Sequence, residues 1–131
     1  MADMMQFDLV SPERKLASVQ ARAVQIPAAS GDLTAMPDHA PLITTLRPGV
    51  LVVDGADGET RFAVTGGFAE ITPTATSVLA ERAYPMGPEG RDALQALLDE
   101  TRAKAASAEG NDRDALNKTA DDLAQTISTM A

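Results

Sequence analysis

The chain has no cysteine and no tryptophan, a single histidine and a single tyrosine, and only 3% aromatic residues in a length of 131. Without cysteine there is no disulfide framework, no thiolate zinc site and no thiol catalysis, and the composition fits a reducing compartment. One histidine, with no second histidine or cysteine beside it, does not furnish a usual zinc site, and no Ser/His/Asp arrangement stands out by spacing. Asp32, Asp38 and His39 are residue types that hold hard cations, but they lack the alternating carboxylates of a calcium loop, so no metal site is expected. Basic charge is also scarce: 11 Lys+Arg against 19 Asp+Glu give a net charge of -8. That sign opposes binding to nucleic acid phosphates or an anionic membrane surface, so proteins are the expected partners. No apolar run approaches the ~20 residues of a spanning helix, so no direct membrane insertion is expected. Residues 1–10 show no basic start followed by an apolar stretch, and no transit peptide is visible. The Gly-x-x-x-x-Gly-Lys-Ser/Thr and Gly-x-Gly-x-x-Gly phosphate cradles are missing as well, and no catalytic residue is assigned.

What the chain does have is 44% hydrophobic residues, enough for a modest core of Val, Leu, Ile, Ala and Met in one domain with an appendage. Up to about residue 85, apolar residues come in short runs with two-residue alternation, punctuated by Gly, Pro, Asp and Ser. That pattern predicts strands over 5–10, 19–26, 33–36, 42–46, 50–53, 61–65, 68–72 and 77–81, and hence a sandwich or flattened barrel. "DGADGE" at 54–59 reads as a hairpin turn. Pro48-Gly49 suits the centre of a type II turn, and Gly66-Gly67 marks a bulge or the close approach of another backbone.

Beyond residue 90 the spacing turns helical. Leu94, Leu98, Thr101 and Ala105, widened by Leu97, lie on one face, as do Leu116, Ala120, Leu123 and Ile127. "SAEGND" at 107–112 separates the two sets: Gly110 is placed to end the first helix, and Asn111 or Asp112 to cap the second. The seams are rich in alanine and bury little area, so the hairpin needs a surface to lean on. "YPMGPEG" is read as a hinge. The division is therefore a β-sandwich over 1–84, a hinge over 85–90 and a helix-turn-helix over 91–131. From residues alone this is a soluble sandwich with a mobile helical hairpin, a protein-binding module.

Particular stretches carry more. "FDLVSPERKLAS", "VQIPAASGDLTAMPDHAPLITTLRPGVLVV" and "FAVTGGFAEITPTATSVLAERA" follow one another and lead into the two-helix tail. Together, Gly31-Asp32, Pro37, His39-Ala40-Pro41-Leu42, Pro48-Gly49 and Gly66-Gly67-Phe68 resemble the ε subunit of the F-type ATP synthase, called δ in mitochondria. The likeness is close over 7–83 and looser beyond. It implies a β-sandwich of about ten strands followed by an α-helical hairpin, in a non-catalytic rotor subunit of the central stalk. Such a subunit couples rotation of the c ring to ATP synthesis or hydrolysis in the catalytic head, at the cytoplasmic face of a bacterial membrane. Implied partners are the γ subunit, the c-subunit ring and, through the hairpin, the catalytic β subunits.

By the same resemblance "GDLTAMPDHAPL" faces the ring, with Asp32, His39, Ala40, Pro41 and Leu42 as contact residues. The bland alternative is that His39 only satisfies a backbone carbonyl in a Pro-rich loop. "LDETRA" at 98–103 matches the Ile/Leu-Asp-x-x-Arg-Ala motif through which many bacterial members bind ATP as a regulatory ligand, making Asp99 and Arg102 nucleotide candidates. It sits some fourteen residues beyond "LAERA", however, and the simpler reading is an exposed ion pair three residues apart. No other cofactor is implied. A reading of another class is a free-standing ligand-binding sandwich with the hairpin as its lid.

Overall fold

Alternation builds the first strand: in β1 (Met5–Val10), Met5, Phe7 and Leu9 are buried, while Gln6, Asp8 and Val10 are partly exposed. The computed structural model, which describes residues 3–130, continues with β2 (Lys15–Ala28), β3 (Gly31–Ala35), β4 (Leu42–Thr45), β5 (Gly49–Gly55), β6 (Gly58–Ile71) and β7 (Ala75–Pro85). β1 pairs with β7 in parallel and with β2 antiparallel; β2–β5, β5–β6 and β6–β7 are antiparallel. These pairings return to their start, β1-β7-β6-β5-β2-β1, and close a flattened barrel. Closure hides most strand edges, leaving β3, attached to β2, and β4, attached to β6, on the outside.

Among the described residues the strands number seven, where about ten were expected. β2, β6 and β7 run on through the corners and serve both layers, so the runs at 61–65 and 68–72 are one strand, β6. Inward positions change phase along it: Phe62 and Val64 face the core, then Ala69 and Ile71 do. Gly66 (φ 52°) and Gly67 (φ 93°) lie between. Pairing with β7 keeps its register through the change, so the glycines are no bulge against that neighbour. They serve close approach instead: a Cβ on Gly67 would strike the Leu79 carbonyl oxygen. Gly49 likewise forms no type II turn. It opens β5 without a positive φ, and a Cβ there would lie 2.6 Å from the Pro27 Cβ.

The hairpin follows as α1 (Pro88–Ser107) and α2 (Gly110–Ser128). The expected face of α1 is used, with Leu94, Leu98, Thr101 and Ala105 buried; on α2 Ala120 and Leu123 are buried as expected, but Leu116 and Ile127 are only half-buried and Thr126 is buried beside them. Leu94, Leu98, Ala120, Leu123 and Met130 form a second, small core over Ala63 of β6, with Tyr84 and Met86 at its margin. Segment 85–90 is mostly regular structure. β7 runs through Pro85 and Pro88 begins α1, leaving Met86 and Gly87 as the connection. A proline costs nothing at a first helical turn, whose N–H groups lack intrahelical partners anyway. Gly110 does not end the first helix, which stops at Ser107; it starts the second with φ 60°. Neither Asn111 nor Asp112 caps α2, whose N-cap is Glu109 without a side-chain bond.

Candidate functional site

The same corner that turns Ala69 and Ile71 inward turns Phe68 outward. Thr45, Phe68, Leu79 and Val10 stand in one row across β4, β6, β7 and β1. Phe68 is 43% and Leu79 42% exposed, and Ile43, on the same face two positions from Thr45, is 66% exposed. Val10, Pro12, Gly67, Phe68 and Leu79 line a shallow groove of about 340 Å³. On the other half of β6 the outward residue Ala63 is fully buried beneath the hairpin. One outer face is thus covered by this chain's own helices and the other is left apolar and open, which is how a protein-binding surface presents itself.

The second feature is the outer edge made by β3, the loop after it and the start of β4. Asp32, Thr34, Met36, Asp38, Ala40 and Leu42 are exposed, while Leu33, Ala35, Pro37 and His39 are more covered. Asp32 and His39 are not brought together: Asp32 stands near the start of β3 and His39 beyond its end, in the alternate, less exposed set. His39 Nδ1 donates to the Ala40 carbonyl at 2.6 Å, the bland role considered for it. Its loop is pinned by the Asp38 N–H donating to the Pro73 carbonyl at 2.8 Å and the His39 N–H donating to the Met36 carbonyl at 3.1 Å. Ala40, Pro41 and Leu42 follow, all exposed. Asp32 has an intrachain partner that spacing did not reveal: Arg47 Nη2 donates to its Oδ1 at 2.6 Å, and Arg47 Nη1 donates to the Ala28 carbonyl at 2.6 Å.

On the tail, Asp99 accepts from Gln95 Nε2 at 3.1 Å and makes no ion pair with Arg102 among the described residues. Both are exposed on α1. Among the described residues no three His, Asp or Glu side chains converge as a metal site, and no helix is long and apolar enough to cross a membrane. One groove, about 610 Å³, opens between β2 and the β5–β6 turn, and another, about 300 Å³, lies between the sandwich and α2, lined by Arg47, Gly49, Arg61, Asp122, Gln125 and Thr126.

An open apolar face, an exposed edge with a structured loop, and a docked hairpin define a sandwich-plus-hairpin binding module. Residues 4–86 match the family model described as the ATP synthase Delta/Epsilon chain β-sandwich domain, and the chain belongs to that family. It is 66% identical to the ATP synthase epsilon chain of a Ruegeria species over 78% of this chain and 74% of that one. Against the ATP synthase epsilon chain of a Jannaschia species the identity is 50% over 96% of each. A chain in the structure of the Euglena gracilis mitochondrial ATP synthase, containing OSCP, F1 and the c-ring, shares the fold. The TM-score is 0.75 at 20% identity, covering 98% of this chain and 82% of that one.

Proposed function

We propose that this chain is the ε subunit of a proton-translocating F-type ATP synthase, a non-catalytic central-stalk component through which c-ring rotation reaches the catalytic head. The observation that carries the reading is the exposed row of Phe68, Leu79 and Val10 on a chain of this family. In this assignment the row is the seat of γ, and the edge from Asp32 to Leu42 faces the polar loops of the c ring. Pro37 and Pro41 limit the freedom of that edge before it meets a partner, which lowers the entropy lost on docking. The work of such a subunit is mechanical, which requires rigid presentation rather than a reacting group. Its place is peripheral, at the cytoplasmic face of a bacterial plasma membrane. Nucleotide binding at Asp99 and Arg102, both exposed on α1, is no part of this reading; titration of the full chain with ATP tests it separately.

The double substitution Phe68→Ser with Leu79→Thr tests the assignment, because two outward side chains lose their apolar surface without setting like charges opposite one another or touching the core. Affinity for isolated γ should fall by about a hundredfold or more, the scale of losing central apolar anchors. The cooperative unfolding transition should stay in place. Undiminished γ binding by the folded double variant would overturn the assignment of this face.

A further inference from the structure

The turn that carries Asp32 is fastened to the β4–β5 corner. Ala29 N–H donates to the Thr45 carbonyl at 2.9 Å, Arg47 N–H to the Pro27 carbonyl at 3.0 Å, and Ala28 bridges Leu46. Among the described residues one side chain reinforces these backbone links: the Arg47 guanidinium, forked between the Ala28 carbonyl and the Asp32 carboxylate. Arg47 is the more sheltered member, its side chain 27% exposed against 52% for Asp32. The acid is thereby held at the surface while its anchor sits behind it. Gln25 Nε2 reaches the second carboxylate oxygen at the long distance of 3.5 Å. Each carboxylate oxygen retains spare acceptor capacity, because an ionised carboxylate has about four acceptor sites, and the side chain is half exposed.

The corner also links the edge to the apolar face. Leu46 N–H donates to the Gly67 carbonyl at 3.0 Å, and Gly67 immediately precedes Phe68. A continuous backbone-bonded line therefore runs from the Asp32 turn through Leu46 and Arg47 to the base of the exposed row.

We infer that Arg47 is a positioning residue. It fixes the direction of the Asp32 carboxylate and stiffens the 28–32 turn, so that a ring-facing contact is transmitted to the γ-facing layer instead of being absorbed by a loose loop. This rests on the ring-facing assignment of Asp32 proposed above. The planar guanidinium suits the task because its donors leave in fixed directions, matching one carbonyl and one carboxylate at once; a lysine ammonium has no such fork.

The test uses the full chain carrying Arg47→Gln, Arg47→Lys, Asp32→Asn, or Arg47→Gln with Asp32→Asn. In the free protein, amide exchange over 28–33 should quicken roughly tenfold in Arg47→Gln, with Arg47→Lys restoring little of the loss and residues 62–71 keeping their protection. In membranes reconstituted with the holoenzyme, protons pumped per ATP hydrolysed should fall in Arg47→Gln and in Asp32→Asn. The double variant should be no worse than the poorer single, as expected of residues acting as one unit. Unchanged exchange over 28–33 in Arg47→Gln would overturn the positioning role, as would full rescue of exchange and coupling by Arg47→Lys. Faster exchange with normal coupling in every variant would instead overturn the ring-facing assignment of Asp32 and leave the latch standing.

Discussion

Leu123→Ala tests how independently the hairpin stands on the sandwich. Leu123 is fully buried on α2 and belongs to the small cluster of Leu94, Leu98, Ala120 and Met130 over Ala63. Truncation removes three carbons, about 2.4 kcal/mol at ~0.8 per buried methylene, and leaves a cavity that raises the loss into the roughly 2.7–5 kcal/mol range of buried Leu→Ala changes. The main sandwich core shares no member with this cluster. Two helices of 20 and 19 residues have little stability of their own in water, so a loss of ~3 kcal/mol is a large part of what keeps them docked. Native-state amide exchange over 116–127 should therefore quicken by about a hundredfold, the equivalent of that loss, while amides of β6 and β7 hold their wild-type protection. Wild-type protection in α2 would refute the packing argument. Equal loss in β6 and β7 would refute the separation of the two cores.

Gly67→Ala should cost about 3 kcal/mol or more in urea unfolding, because a positive φ is combined with backbone that cannot yield. Gly58→Ala, with φ 118° but open space around it, should cost only about 1–2 kcal/mol. Equal costs would sink the close-approach account of the glycine pair. Thr65 is 5% exposed and its hydroxyl has no hydrogen-bond partner among the described residues. The near-isosteric Thr65→Val should raise stability by about 1 kcal/mol, and a drop in the urea midpoint would show that the hydroxyl is satisfied after all.

The strands were legible where one face is buried and the other wet. Residues 5–10 alternate cleanly and form β1 with the expected bounds. The corner was not legible, because a two-residue alternation reports periodicity and not which face is covered. Phe68 and Leu79 lie in strands that the alternation predicts, but it did not say that they face outward; for Phe68 the sequence signal was the glycine pair before it. The helical faces were legible, since steps of three and four identify a side independently of what covers it; that Ala63 lies underneath required the fold. The Asp32–Arg47 pair joins residues fifteen apart and exists only because Ala28 meets Leu46 across the edge. Local spacing carried no trace of it. His39 attracts attention by being the only histidine, yet its hydrogen bond is to the next residue's carbonyl.

Charge and connection together decide how strongly the hairpin could restrain ATP hydrolysis by leaving the sandwich and reaching toward the catalytic head. Over 91–131 the chain has Arg91, Arg102, Lys104, Arg113 and Lys118 against Asp92, Asp99, Glu100, Glu109, Asp112, Asp114, Asp121 and Asp122, so the balance is 5 - 8 = -3. Several of those cations are already engaged. Lys118 pairs with Asp122 at 2.6 Å, Lys104 with Glu100 at 3.2 Å, and Arg113 Nε donates to the Ala108 carbonyl at 2.9 Å. An acidic surface approaching α2 would meet mostly like charge, and that repulsion grows as water leaves the contact and salt screens it less. Undocking would also re-expose Leu94, Leu98, Leu123 and Met130, at ~1.5–3 kcal/mol for each side chain returned fully to water. The Met86–Gly87 connection permits a swing, but Pro88, lacking an N–H, prevents α1 from extending back as continuous helix into β7. The hairpin should therefore be a weak brake. ATP hydrolysis by the assembled enzyme carrying residues 1–87 should stay within roughly twofold of that with the full chain, a barrier difference below ~0.5 kcal/mol. Truncation uncovers Ala63, Tyr84, Met86 and the part of β5 on which α2 packs, none of them in the Phe68 row, so assembly with γ should survive it. A several-fold rise in hydrolysis with assembly intact would mean that the tail does engage the catalytic head despite its charge, and the repulsion argument would fall.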